Sequence, residues 1–325
     1  MEPELTSQPH IDVSSLPDIS KPEMDFSDTS FFQSQDNEPR QLPTPASIVK
    51  DLPGLCECVI KLENLNLAVK IGRPQYLRLE EAQSLQILRQ IFPTHEVPVP
   101  EVFGWKSYRG FNFMYMSLAH GQTLREAWPS FTLADKEAVS SQLGRVVCAL
   151  REINQEISDR WIGQSHFFQG YADAASTDYL PGSINRGPVT DRFFHDDYVE
   201  GPFYTIKAFN DWTLAAATRQ RPGPEGVKLL PHRDLFPDKG NIYFTHGDLT
   251  LNNIIISGTP GSYKIESILD WEQAGWYLEY WEYCKMQYAV DYEHGWRTEG
   301  WAQKVMEPCE ETWDAFADYS QWRCP

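Results

Sequence analysis

The sequence predicts an α+β protein, with a small and mostly antiparallel sheet carrying one helix, followed by a larger and mainly helical part. Three observations predict it. Short period-two segments crowd residues 46–117, a single amphipathic helix interrupts them, and helical periodicity dominates beyond residue 118 except for one hairpin around residue 260. A chain of 325 residues buries a sizeable core and is long for one small domain, so two lobes are expected, over 46–117 and 118–325, behind a leader of residues 1–45.

The leader holds seven prolines, many Ser, Gln and Asp residues and little apolar periodicity, which is the composition of a disordered segment. Strands then follow over 56–62 and 67–71, separated by a polar turn around Asn64 and Asn66 and closed by Gly72. A helix is expected over 77–92. At 100° per residue, Leu77, Glu81, Leu85, Leu88 and Phe92 fall on one stripe, which places a carboxylate among apolar neighbours. Glu81 therefore either pairs with a cation, Lys70 being the nearest in sequence, or sits at the stripe's edge and reaches water. Glu80 points to a different side of the helix.

Val97-Pro98-Val99-Pro100 is extended, because a residue before proline is pushed out of the α region. Strands are expected over 102–105 and 111–117, then a link through Gly121, an amphipathic helix over 132–154, loops over 163–200 and a helix over 205–218. Seven of the eleven tryptophans lie beyond residue 270, where packing of the final helices is their expected role.

The densest signal lies between these helices. His246-Gly247-Asp248-Leu249-Thr250-Leu251-Asn252-Asn253 leads into Ile254-Ile255-Ile256, and Gly258-Thr259-Pro260-Gly261 is a turn before an alternating strand that ends at Leu269-Asp270-Trp271. A hairpin about that turn brings Asn253 and Asp270 to one open end, beside the loop that carries Asp248. Three oxygen-bearing side chains on one rim suit a hard cation such as Mg²⁺.

Charge narrows the partners. The leader carries nine acidic residues against two basic ones, −7 of the total of −18, so the rest of the chain is acidic in its own right at −11. That repels phosphate backbones, and no Lys/Arg cluster offsets it, so nucleic acid is not expected as a partner. A cationic small molecule is favoured electrostatically; solubility alone would explain the charge equally well. No apolar run approaches membrane-spanning length and no targeting pattern opens the chain, so a soluble, cytoplasmic protein is expected, with no membrane partner. The six cysteines form neither a zinc array nor a disulfide framework. Gly-x4-Gly-Lys-Ser/Thr and Gly-x-Ser-x-Gly motifs are both absent.

His246-x-Asp248, Asn253 five residues after the aspartate, a strand pair ending in Asp270, and upstream Lys70 and Glu81 together resemble the protein-kinase-like fold. More narrowly they resemble the aminoglycoside phosphotransferase family of small-molecule kinases, since His-Gly-Asp replaces His-Arg-Asp and Asp270-Trp271-Glu272 replaces Asp-Phe-Gly. Val97-Pro98-Val99-Pro100, Gly182-Ser183-Ile184, Gly201-Pro202-Phe203 and the run from Ala274 to Tyr283 are similar to fungal members. The resemblance covers roughly residues 46–320.

The resemblance implies an ATP- and Mg²⁺-dependent phosphotransferase acting on a hydroxyl of a small molecule, with a nucleotide-binding lobe over 46–117 and a larger catalytic lobe over 118–325. Asp248 would be the catalytic base, Asn253 and Asp270 the metal ligands, Lys70 the contact to the phosphates and Glu81 its support. His246 would brace the loop, and the backbone from Met116 to Leu118 would face adenine. Glu272, Glu279, Asp291 and Glu293 are candidates for a cationic acceptor, although Glu279 and Glu282 equally suit helix capping or internal pairing. The sequence departs from the pattern in three places, the last of them a protein-kinase feature whose absence disfavours regulated protein-kinase activity. No Gly-x-Gly-x-x-Gly precedes Lys70, Thr250-Leu251 stands where many members have His-Pro, and no Ala-Pro-Glu follows Asp270. The missing glycine loop makes a nucleotide-binding scaffold the alternative function.

Overall fold

The computed structural model describes residues 9–33, 40–51, 54–155, 182–185, 187–194, 201, 203–217 and 231–321. They form two compact units, one of the described residues within 15–139 and 251–272 and the other of those within 1–14, 140–250 and 273–325.

The first unit is built on a five-stranded antiparallel sheet. Its strands run in the order Glu23–Asp25, Val102–Tyr108, Phe111–Ser117, Leu67–Gly72 and Cys58–Leu62. Period-two alternation sends Leu67, Val69 and Ile71 into one core with Phe103, Phe113 and Tyr115, and so turns Lys70 to the opposite face. The Glu80–Ile91 helix follows the Lys70 strand, and Asn112 ties its approach by donating from Nδ2 to the Leu77 carbonyl at 3.0 Å. All five residues of the expected stripe are buried, from Leu88 at 0 % exposure to Phe92 at 9 %, with Leu77 and Phe92 flanking the helix.

The expected hairpin forms between Ile254–Ser257 and Lys264–Ile268, with Ile254 opposite Ile268. Gln122–Thr123 adds a short third strand beside Ile255 and Ile256, and Asp135 accepts from the Gly261 N–H at 2.7 Å, pinning the turn. These pairings draw residues 251–272 and the start of the Leu133–Arg151 helix into the sheet's unit.

The second unit holds an antiparallel three-stranded sheet, Ile242–Thr245 beside Gly275–Leu278 beside Gly182–Ser183. It also holds the helices Ile206–Ala217, Trp281–Tyr288 and Glu310–Gln321. Its core is aromatic. Trp281 is fully buried and touches the rings of Phe193, Phe194, Phe209, Tyr277 and Phe316. A buried ion pair lies beside it, Lys285 Nζ at 2.5 Å from Asp191 Oδ1, with Trp281 Nε1 donating to Asp191 Oδ2 at 2.8 Å. Trp271, Trp276, Trp281, Trp296, Trp301 and Trp313 are all buried, as packing residues should be; Trp322 lies outside the described residues.

The leader is where structure and composition part. Disorder was the expectation for residues 1–45, yet Glu23–Asp25 is an edge strand and Phe31 and Leu42 are buried in the sheet's core at 4 % and 5 % exposure. Isolated apolar residues at irregular spacing make no periodic pattern, but a sheet edge already formed elsewhere gives them somewhere to bind. Residues 1–8 and 34–39 of the leader, and 163–181, 186, 195–200 and 202 of or near the expected loops, lie outside the described residues. Among the described residues no helix is long and apolar enough to cross a membrane.

Candidate active site

The first group of site residues surrounds Lys70. Its Nζ lies 2.7 Å from Glu81 Oε2, 2.5 Å from Asp270 Oδ1 and 3.5 Å from Glu272 Oε2. The Glu81 side chain is 1 % exposed, so of the two sequence readings the paired one holds and the one that reaches water does not. Burial works against the Lys70 ammonium, yet the Glu81, Asp270 and Glu272 carboxylates hold its pKa above the ordinary lysine value. Burial pushes the Glu81 pKa up, opposed by Lys70 and by a hydrogen bond from the Trp271 backbone.

Asp270 owes its position to the turn after the hairpin. It adopts the left-handed conformation at φ +65°, uncommon for a residue other than glycine and tolerated best by Asn and Asp. Trp271 closes that turn by donating from Nε1 to the Ile268 carbonyl at 2.9 Å. On the partner strand, the Asn253 carbonyl accepts from the Leu269 N–H at 2.8 Å, so Asn253 and the residue before Asp270 share the hairpin's open end. The oxygens of Glu81, Asp270 and Glu272 lie within 4.8 Å of one another. Three carboxylates around one ammonium leave an excess of negative charge that a divalent cation with oxygen preference would balance.

Met116 and Leu118 end the Phe111–Ser117 strand and begin the link beyond it. Met116 pairs with Ala68 and Val102, the Ser117 N–H donates to the Glu101 carbonyl at 2.8 Å, and the Leu118 N–H to the Asn66 carbonyl at 3.1 Å. Both of those N–H groups are therefore bonded within the protein.

The second group is the loop of His246, Gly247 and Asp248. His246 is fully buried, and its Nδ1 accepts from the Asp248 N–H at 3.0 Å, while the Asp248 carbonyl accepts from the Thr250 N–H at 2.7 Å. His246 thus shapes the loop through its imidazole. Gly247 has φ +78°, and a Cβ there would lie 2.8 Å from the Gln273 carbonyl oxygen, so the Gly in His-Gly-Asp is a steric requirement of this loop. The buried Glu282, on the Trp281–Tyr288 helix, accepts from the His246 N–H at 2.7 Å and from the Gly247 N–H at 3.3 Å. Burial pushes its pKa up against those bonds. The sequence left Glu282 between helix capping and internal pairing, without its partners; an acid between Trp281 and Tyr283 in an aromatic run was the available signal.

Replacing Glu282 with Ala should strand two buried N–H donors and lower the unfolding free energy by about 2 kcal/mol. Glu282→Gln keeps an acceptor and should recover most of that in urea unfolding; equal losses for the two variants would remove Glu282 from the loop's support.

The acceptor candidates separate. Glu272 is buried in the Lys70 group. The Glu279 carboxylate accepts from the Asn241 backbone and side-chain N–H groups, both at 3.2 Å, which ties down the turn at Gly240. Both acids thus have partners within the protein, each supplied by a segment distant in the chain, Lys70 for Glu272 and Asn241 for Glu279. Asp291 and Glu293 are exposed, in the turn before His294.

The family model of the phosphotransferase enzyme family (APH) matches residues 59–303, three-quarters of the chain. Similar solved structures include an aminoglycoside-3'-phosphotransferase of type VIII, 13 % identical, with 79 % of this chain and 84 % of that one covered and a TM-score of 0.42. The aminoglycoside phosphotransferase APH(3'')-Id from Streptomyces rimosus is 14 % identical over 85 % of this chain and 96 % of that one, with a TM-score of 0.45. Its complex with ADP and streptomycin gives 0.46 at the same identity and coverage. None of the curated proteins matches. The protein is an enzyme of the small-molecule kinase class, one that phosphorylates a hydroxyl group. The chain belongs to the phosphotransferase enzyme family.

Proposed function

We propose that the chain transfers the γ-phosphoryl group of ATP to a hydroxyl of a small molecule, with Mg²⁺ as the accompanying cation. The observation that carries this reading is Lys70 held by Glu81 and Asp270 in a largely buried, charge-coupled group. Phosphoryl transfer needs positioned positive charge and a proton acceptor more than it needs covalent chemistry. Lys70 would bind the α- and β-phosphates, and Glu81 would fix the ammonium against the entropy of its four-carbon stem. Asp270 and Asn253 would hold Mg²⁺; what supports a cation at Asp270 is its place beside Glu81 and Glu272, one oxygen of each of the three lying within 4.8 Å of the others. When bound, the cation neutralises charge on the phosphates. Asp248 would take or orient the proton of the attacking hydroxyl, and His246 with Glu282 would keep that loop in shape.

The acceptor class is open to a direct screen. The acidic charge of residues 46–325 and the exposed Asp291 and Glu293 support a cationic acceptor, and the streptomycin complex of the S. rimosus enzyme puts aminoglycosides in the panel. Purified protein with ATP is expected to release ADP faster in the presence of one amine, amino alcohol, sugar or aminoglycoside, and to stop when EDTA removes the metal. If Mg²⁺-ATP raises the melting temperature while no acceptor stimulates ADP release, the protein is a nucleotide-binding scaffold and the proposal fails.

A further inference from the structure

We infer that the segment before the family region is a strap that positions the Glu80–Ile91 helix, and through it the Glu81 carboxylate on Lys70. The inference rests on the reading of Lys70 as the nucleotide-binding residue. The family match begins at residue 59, but residues 15–33 and 40–45 are built into the same unit as Lys70.

Four observations tie the strap down. Its strand Glu23–Asp25 pairs with Val102–Tyr108, and the ladder extends through the Phe26 N–H to the Phe103 carbonyl at 2.9 Å and the Ser107 N–H to the Pro22 carbonyl at 2.7 Å. The fully buried Trp105 donates from Nε1 to the Lys21 carbonyl at 3.0 Å and meets the Phe26 ring edge-on at 5.4 Å. Tyr115, in the neighbouring strand, donates its hydroxyl to the Pro43 carbonyl at 2.8 Å. Gly104 makes room for the strap, since a Cβ there would lie 2.3 Å from the Met24 carbonyl oxygen and 3.1 Å from Leu42 Cδ1. A glycine inside a strand marks close approach of another backbone, and here that backbone is the strap. The family region therefore carries a residue matched to a segment outside it.

The strap also reaches the helix. Gln83, two residues from Glu81 and 4 % exposed, donates from Nε2 to the Pro17 carbonyl at 2.8 Å. Glu81, Ala82, Gln83, Ser84 and Leu85 are all buried. A helix lying on one surface buries only the residues of one stripe, whereas five consecutive buried residues need cover on a second side. The Pro17 carbonyl is part of that cover. Since the strap holds both a sheet edge and the helix, loosening it frees the helix to rotate or withdraw, and Glu81 moves with it.

Two full-length variants test this. Gly104→Ala places a methyl group where the Met24 carbonyl sits and displaces the strap; Gln83→Met leaves the strand docked and removes only the bond to Pro17. Both are expected to speed hydrogen exchange across 80–91 and to raise the KM for ATP by on the order of fivefold, the weight of one lost hydrogen bond. The KM for the acceptor should stay unchanged, a split that general destabilisation does not produce. Faster exchange over 23–26 in Gly104→Ala with wild-type exchange over 80–91 in both variants would overturn the strap's positioning role. If Gly104→Ala does not fold, Gln83→Met alone decides. If the wild-type protein binds no ATP, the nucleotide reading fails, and the exchange data still decide whether the strap holds the helix.

Discussion

Asp248→Asn is expected to cut phosphoryl transfer by about a thousandfold, the weight of a positioned general base, with the melting temperature unchanged. The reason for expecting an intact fold is local. The loop is held through the Asp248 N–H on His246 Nδ1, the Asp248 carbonyl on the Thr250 N–H, and Glu282 on the two preceding N–H groups. All of these survive the substitution. A single-turnover measurement with saturating Mg²⁺-ATP and acceptor isolates the chemical step. A variant that keeps more than about a tenth of wild-type activity would remove Asp248 from the role of base.

Lys70→Met has the largest expected effect on stability. Methionine fills the space of the stem but leaves Glu81, Asp270 and Glu272 without their shared ammonium, and breaking a buried ion pair from one side costs about 3 kcal/mol. The loss should depend on pH. The Glu81 pKa is already raised by burial and loses the main influence that lowers it when Lys70 goes. A carboxyl whose folded pKa is raised lends stability that is full below its unfolded value, about 4.3, and lost as pH rises through the folded value. Lys70, raised in turn, lends the wild-type protein stability that is full below the ordinary lysine value of about 10.4 and fades only above it. The gap between variant and wild type in urea midpoint is therefore expected to be wider at pH 8 than at pH 5. A gap that is the same at both would mean that the Glu81 charge is not what Lys70 stabilises.

Much of the Lys70 group was legible because its logic is local. Period two turns Lys70 away from Val69 and Ile71, and the 100° step puts Glu81 on the apolar stripe, where it requires a cation. The hairpin was legible for a similar reason, since Gly258 to Gly261 turn the chain and the two strands then count back to Asn253 and Asp270. The place of Glu272 beside Lys70 was not legible, because the two residues are about 200 apart in the chain and the local pattern says nothing about which way a side chain faces after the turn at Asp270. For Glu282 the sequence left capping and internal pairing equally open, because the N–H groups from which it accepts lie 35 and 36 residues upstream.

The leader shows the same boundary from the other side. Its composition carries no periodicity, and by composition it has no core of its own to form. Its order comes from the Val102–Tyr108 edge and from the space that Gly104 leaves, two features encoded about 80 residues later. By itself, then, the sequence determined the α+β class, the hairpin around residue 260, and the faces that Lys70 and Glu81 take within their elements, but not the strands Glu23–Asp25, Gln122–Thr123, Gly182–Ser183, Ile242–Thr245 and Gly275–Leu278. Only the tertiary structure decided which acids share Lys70, which acid holds the His246 loop, and what covers the Glu81 helix. Those outcomes depend on contacts between segments far apart in the chain, and periodicity, which acts over a few residues, cannot encode them.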